Sequence, residues 1–141
     1  MRRSKGLETM QRLAEYGADA ASRDVGQRLR ALRAEEDRLR QINEFLGHYD
    51  RLTTSADGSI SVGALTSRRQ FAARLRDATD RQREAVRDHE RHYQAQVQRW
   101  SEARAQALAL QRFNERVRAA AAERRERREQ ARLDEIGLRR R

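Results

Sequence analysis

At 141 residues the chain has room for one domain, and its balance is extreme: 38% charged, 5% aromatic, no proline, no cysteine and a mean hydropathy of −1.11. So little apolar material excludes an ordinary globular core and leaves two classes, a disordered chain or long helices that share a narrow seam. The net charge of +10 suits acidic partners, nucleic acid or anionic lipid without choosing among them.

The chain starts Met-Arg-Arg-Ser-Lys-Gly, and no apolar segment follows, so the start does not read as a secretory signal. No unbroken apolar run exceeds that of the four alanines 119–122, far below the roughly 20 residues of a membrane span. A soluble or at most peripheral protein is expected. The lack of cysteine removes disulfides and thiolate chemistry and fits a reducing cytoplasm. The lack of proline favours helix, since one interior proline costs about 3 kcal/mol.

From Leu7 to Leu52 apolar residues recur at threes and fours, and Val25, Leu32, Leu39 and Leu46 stand seven apart, as in a coiled-coil seam. The spacing predicts a first helix over about 7–52. Gly17, Gly26 and Gly47 interrupt it, each at about 1 kcal/mol relative to alanine, and read as points of local flexibility or close helix approach. Next comes Thr53–Gly63, which has no Lys, Arg or Glu and is rich in Ser, Thr and Gly. Those side chains compete with helical backbone hydrogen bonds, so 53–63 is expected to be a turn. A second helix is predicted over about 64–138, where Val86, Tyr93, Trp100 and Ala107 are again seven apart and Val97, Ala103, Leu110 and Val117 fill the alternate positions. At 1.5 Å per residue it would be about 110 Å long. Its end is dense in charge: residues 112–141 hold 11 basic and 6 acidic side chains.

A turn centred near Ile60 pairs residues whose numbers add to about 120. Leu7 then faces Phe113, Met10 faces Leu110, Leu13 faces Ala107, Trp100 falls beside Ala20 and Ala21, Phe45 faces Leu75, and Tyr49 faces Phe71. Apolar residues meet along the whole arm. The fold class expected is therefore all-α: a single antiparallel two-helix coiled-coil hairpin over 1–141, with a longer second helix overhanging the first beyond about residue 113.

Catalytic constellations are missing from the sequence: no Gly-rich phosphate loop, no nucleophile–base pair and no carboxylate pair in an apolar setting. No cofactor and no small-molecule substrate are expected. His89 and His92, three apart, share a helix face with no further ligand in reach and read as seam-edge histidines. Arginines alternate with acids at helical spacing, as in Arg33 and Glu36, Glu84 and Arg87, or Glu123 and Arg127, which is the pattern of a self-paired solvated surface. The basic tail also lacks stacking aromatics, so nucleic acid is not expected, although an Arg-rich tail binding it is the rival from another class. Near the turn, Arg38, Ile42, Phe45, Tyr49, Phe71, Leu75, Ala78 and Gln82 come to four common heights. A two-helix coil buries only a narrow stripe, so part of this aromatic cluster should stay exposed, either as local hairpin packing or as a partner-docking patch.

With Leu13-Ala14-Glu15 near the start, the Ile42, Phe45, Tyr49 run, the Ser/Gly-rich turn and the tail ending Arg132-Leu133-Asp134-Glu135, the chain resembles the FliJ family of the flagellar type III export apparatus. The resemblance covers nearly the whole chain and includes no catalytic motif; stalk proteins of virulence secretion systems look similar. It implies a non-enzymatic stalk, peripheral to the cytoplasmic face of the inner membrane at the flagellar base. The open end of the hairpin would enter the hexameric export ATPase, and a surface near the turn would contact the cytoplasmic region of the export-gate protein FlhA. Recycling of export chaperones is implied as well. The gate-contacting surface of the family matches Arg38, Ile42, Phe45, Tyr49, Phe71, Leu75, Ala78 and Gln82, with Arg38 and Gln82 departing from the family's polar residues at the two outer positions.

Overall fold

Two long helices make up the protein, seen in a computed structural model that describes residues 2–54 and 60–140. Helix α1 spans Arg2–Thr54 and α2 spans Val62–Arg139. They run antiparallel as a helical hairpin, and α2 is the longer, at 78 residues against 53. The expected fold class holds. Both helices reach further than periodicity alone suggested. Helix α1 starts five residues before Leu7, and Val62 and Gly63 already belong to α2. The middle of the expected turn, 55–59, lies outside the described residues.

Ser61 explains where α2 begins. Its hydroxyl oxygen accepts the amide N–H of Ala64 at 3.2 Å, which satisfies one of the donors a helix start leaves unpaired. Ile60 and Leu65, both half-buried, flank this cap at the positions where an apolar pair fixes the entry of the chain. Ile60 is therefore the doorway of α2 and not the middle of a loop.

The seam is a narrow stripe with a seven-residue repeat on both helices. On α1 one series is Gln11, Ala18, Val25, Leu32, Leu39 and Leu46, and the other includes Leu7, Ala14, Ala21, Glu35, Ile42 and Tyr49; all are buried or half-buried. On α2 the series are Leu65, Ala72, Thr79, Val86, Tyr93, Trp100, Ala107, Asn114 and Ala121, and Leu75, Gln82, His89, Gln96, Ala103, Leu110 and Val117. The least exposed side chains are small, medium or polar: Leu32, Ala72, Ala107, Thr79, Gln96 and Asn114. A two-helix interface has no interior in which to hide a whole aromatic ring, so none of the large side chains among the described residues is fully buried.

The chain packs as two compact units, Ser22–Gln98 and Met1–Ala21 with Arg99–Arg141. Within the first, Tyr49 lies against Phe71, on the expected register. Within the second, Asn114 donates to the carbonyl of Leu7, one residue from the expected partner Phe113. The register is right there, but the face is turned. Met10 and Leu13, expected in the seam, are 54% and 64% exposed, and Phe113 is also exposed. Gln11, Ala14 and Asn114 occupy the seam in their place. The seven-residue series running back from Leu46 through Val25 lands on Gln11, and an unbroken repeat outweighs the hydrophobicity of two residues beside it. The overhang of α2 also starts later than expected, since Ser4 and Leu7 still lie with Val117 and Arg118 around one small cavity.

None of the α1 glycines marks a close helix approach. A Cβ added at Gly17 or Gly47 meets no atom within 4 Å, and at Gly26 it meets only Arg30 Nη1 at 3.6 Å. The exposed faces carry local ion pairs of the kind the sequence pattern announces: Arg87 with Glu84 at 2.6 Å, Arg127 with Glu123 at 2.6 Å, Arg40 with Asp37 and Arg91 with Asp88. The bond and charge of Glu84 push the Arg87 guanidinium above its ordinary value.

Candidate partner-docking site

The eight residues singled out near the turn all fall in Ser22–Gln98, and the structure sorts them into a base and a crest. Ile42, Tyr49, Leu75 and Gln82 stand in the seam itself and are half-buried. Phe45 and Phe71 flank it. Their rings meet edge to face at a centroid distance of 6.4 Å, and Tyr49 tilts against Phe71 at 4.8 Å. Edge-to-face and offset contacts of this kind are favoured by the ring quadrupoles. Even so, Phe45 remains 54% and Phe71 39% exposed. Phe71 is held between two rings, Phe45 and Tyr49, and both phenylalanines still present much of their surface to solvent. Ala78, half-buried, leaves a low point beside them. The structure thus brings Phe45, Tyr49 and Phe71 into contact, while Ile42, Leu75 and Ala78 are half-buried in the same unit.

Arg38 and Gln82 belong to a different arrangement, which sequence reasoning missed. Glu35 joins them. The Gln82 side-chain amide donates to the Glu35 carbonyl at 2.9 Å and to Glu35 Oε2 at 2.6 Å. Arg38 Nη1 donates to the other carboxylate oxygen, Oε1, at 3.0 Å. Glu35 side-chain exposure is only 15%, so the carboxylate is a seam member with both oxygens engaged. The signal was in the sequence: Glu35 is seven residues before Ile42 and fourteen after Ala21, which puts it on the seam series. Its charge argued for the surface, and the charge is what Gln82 and Arg38 satisfy.

On the other side of the patch a shallow cleft of about 260 Å³ is lined by Asp50, Leu65, Arg68, Arg69, Ala72 and Arg76. Arg76 reaches Asp50 at 3.6 Å across the seam. The patch therefore has an ion-paired polar border at Glu35, Arg38 and Gln82 and an arginine-rich one at Arg68, Arg69 and Arg76, a polar rim around an aromatic centre.

The histidine pair has no such support. The rings of His89 and His92 are 6.3 Å apart, and among the described residues no three His, Asp or Glu side chains converge as metal ligands. His89 Nδ1 is buried without a hydrogen-bond partner there, which marks it as a seam residue. Trp100, in the other unit, is half-buried with the Arg104 guanidinium 5.6 Å above its ring. Among the described residues no helix is long and apolar enough to cross a membrane.

The sequence profile of the family described as Flagellar FliJ protein matches residues 4–141, essentially the whole chain. The chain belongs to the flagellar FliJ family. No curated protein and no solved structure matches it. Membership makes this chain a coiled-coil protein of flagellar export, in a family whose role is structural and not enzymatic. Phe45, Tyr49 and Phe71 form a cluster of touching rings with two of the three exposed.

Proposed function

We propose that this FliJ-family protein is the stalk that links the export ATPase hexamer to the cytoplasmic region of the export-gate protein FlhA, and that it aids the recycling of export chaperones. The chain acts as one hairpin, working at the cytoplasmic face of the inner membrane at the flagellar base. The open end, where residues 1–21 lie with 99–141, serves the ATPase; the patch near the turn serves the gate. The mechanism is associative: no bond is made or broken, and ring and gate are coupled because one pair of helices carries both docking surfaces.

The observation that supports this reading most directly is the Phe45–Phe71 edge-to-face pair, with Tyr49 packed against Phe71 and both phenylalanines still exposed. Preorganised aromatic anchors lose little conformational entropy on docking and commonly dominate binding energy. Ile42, Leu75 and Ala78 supply the apolar floor, and Arg38 and Gln82, tied through Glu35, supply a polar border. The match to a flagellar family favours this role over that of a stalk in a virulence secretion system.

Replacing Phe45→Ala together with Phe71→Ala tests it. The double variant is expected to keep its helicity, because neither ring is in the seam, and to bind the cytoplasmic domain of the gate protein at least tenfold more weakly. Motility and export should fall with it. A helical double variant with unchanged gate binding and normal export would sink the reading.

A further inference from the structure

The α2 seam series that runs back by sevens from His89 through Gln82 and Leu75 reaches Arg68, which is half-buried. By helical spacing Arg69 and Arg76 stand on one side of Arg68 and Phe71 on the other. Arg68, Arg69 and Arg76, with Asp50, Leu65 and Ala72, wall the cleft of about 260 Å³. That cleft therefore lies across the seam from the phenylalanine rings and is a site of its own.

The charge of the cleft is not balanced from within. Arg76 meets Asp50 at 3.6 Å, and each offsets the other. Among the described residues Arg68 and Arg69 make no ion pair. The positions three and four residues to either side of them carry no acid, and from Ile60 to Arg76 the chain has four arginines and neither Asp nor Glu. The contrast with Glu35 is direct. That seam charge has both oxygens engaged, by Gln82 and Arg38, whereas the half-buried guanidinium of Arg68 has no counter-charge. Withdrawing a charge from water without a partner is costly, so an arginine kept there fits a ligand that supplies the opposite charge.

We infer that this cleft binds a phosphate dianion, either free phosphate or the phosphomonoester headgroup of a lipid. The charge count selects it. Arg68 and Arg69 are uncompensated, and a phosphomonoester carries roughly one and a half to two negative charges at neutral pH. A carboxylate brings one charge and two oxygens, which a single arginine fork satisfies. A phosphate offers oxygens in several directions to separate guanidiniums, and three of them wall this cleft. A phosphodiester of a nucleic-acid backbone brings only one charge per group. Leu65 and Ala72 give the cleft an apolar wall, beside which a guanidinium–oxyanion bond is stronger than in open water. Asp50, the acid among the lining residues, is offset by Arg76.

The test follows the arginine Nε–H resonances of the full-length protein by NMR during titration with inorganic phosphate, at a constant ionic strength of about 0.15 M. The resonances of Arg68, Arg69 and Arg76 are expected to move together and saturate with a Kd of about 1 mM, and acetate to bind at least about tenfold more weakly. Arg68→Gln with Arg69→Gln, checked for unchanged helicity, should weaken phosphate binding at least about tenfold. Arg74→Gln with Arg81→Gln removes equal charge from the far face of α2 and should change it less than about twofold. A response that does not saturate, equal affinity for acetate, or equal losses from the two pairs would overturn the inference.

Co-sedimentation with phosphatidylcholine vesicles, with and without phosphatidic acid, then separates the sources. Retention that needs both phosphatidic acid and the Arg68, Arg69 pair assigns the site to a headgroup. Saturable phosphate binding without retention assigns it to the free ion. The inference does not depend on the gate reading. Cleft variants that lose phosphate but still bind the gate domain support it, and variants that lose the gate while the parent protein ignores phosphate would sink it.

Discussion

Gln82 and Asn114 each cross the seam from α2 with both hydrogens of a carboxamide, but the oxygens that receive them differ in charge. Gln82 donates to the carbonyl and the carboxylate of Glu35, at 2.9 and 2.6 Å. Asn114 donates to the carbonyl of Leu7 and the neutral side-chain oxygen of Gln11, at 3.2 and 2.6 Å. Each amide fits one main-chain carbonyl on the facing helix, so each fixes the register of its own unit, the recognised use of a polar residue in an otherwise apolar seam. The neutral clamp is the more deeply buried: Asn114 is 4% exposed, while Gln82 is half-buried. Burial of a charge costs far more than burial of an amide, so the ionised clamp stays near solvent. There its second oxygen is free to hold Arg38 at the edge of the aromatic patch. One clamp serves packing, and the other serves packing and the docking surface together.

The largest effects test whether the apolar seam still outweighs both clamps. Leu32, 6% exposed and on the same seven-residue series as Gln11, is expected to cost about 3 kcal/mol as Leu32→Ala in chemical denaturation. Leu13→Ala, at a residue more hydrophobic by sequence context than Gln11 but outside the seam, should cost less than about 0.5 kcal/mol. Comparable costs at the two would mean that the face assignment in the unit of the termini is wrong.

Next in size come the clamps. Asn114→Ala leaves a void and unpaired oxygens in the seam and should cost about 1–3 kcal/mol, with little change between about 0.1 and 1 M salt. Gln82→Ala should cost about 1 kcal/mol, and part of that cost should disappear in high salt, because its acceptor is ionic and closer to solvent. Identical salt responses in urea titrations would erase the distinction between the two clamps.

The same two units show how far sequence carried. Fold class, antiparallel pairing and the placement of Tyr49 against Phe71 were legible because a seven-residue repeat and one break in composition fix a hairpin's register. Which face turned inward at Met10 and Leu13 was not, because hydrophobicity competed with repeat continuity and the repeat prevailed. The aromatic patch was legible as a set of residues; its Glu35 anchor was hidden by the habit of assigning charges to the surface. In the tail, pairwise spacing suggested interleaved charges, and Arg127 with Glu123 and Arg139 with Glu135 pair in that way.

The smallest expected effect asks whether the helices of the two units respond alike when no packing is involved. Gly17 stands in the unit of the termini and Gly47 in the other, both in helical backbone where an added methyl meets nothing within 4 Å. Alanine loses less backbone freedom on folding than glycine, so Gly17→Ala and Gly47→Ala should each stabilise by about 0.5–1 kcal/mol in urea titrations. Equal gains mean that neither glycine has a structural duty inside the chain. If Gly47→Ala gains stability but weakens gate binding, the duty lies outside: the face of α1 that carries Gly47, set opposite Phe45 and Tyr49 by helical spacing, then also meets a partner. If it loses stability, α1 bends at Gly47 in solution, and the anionic clamp at Glu35 is then what holds the patch end of the seam closed.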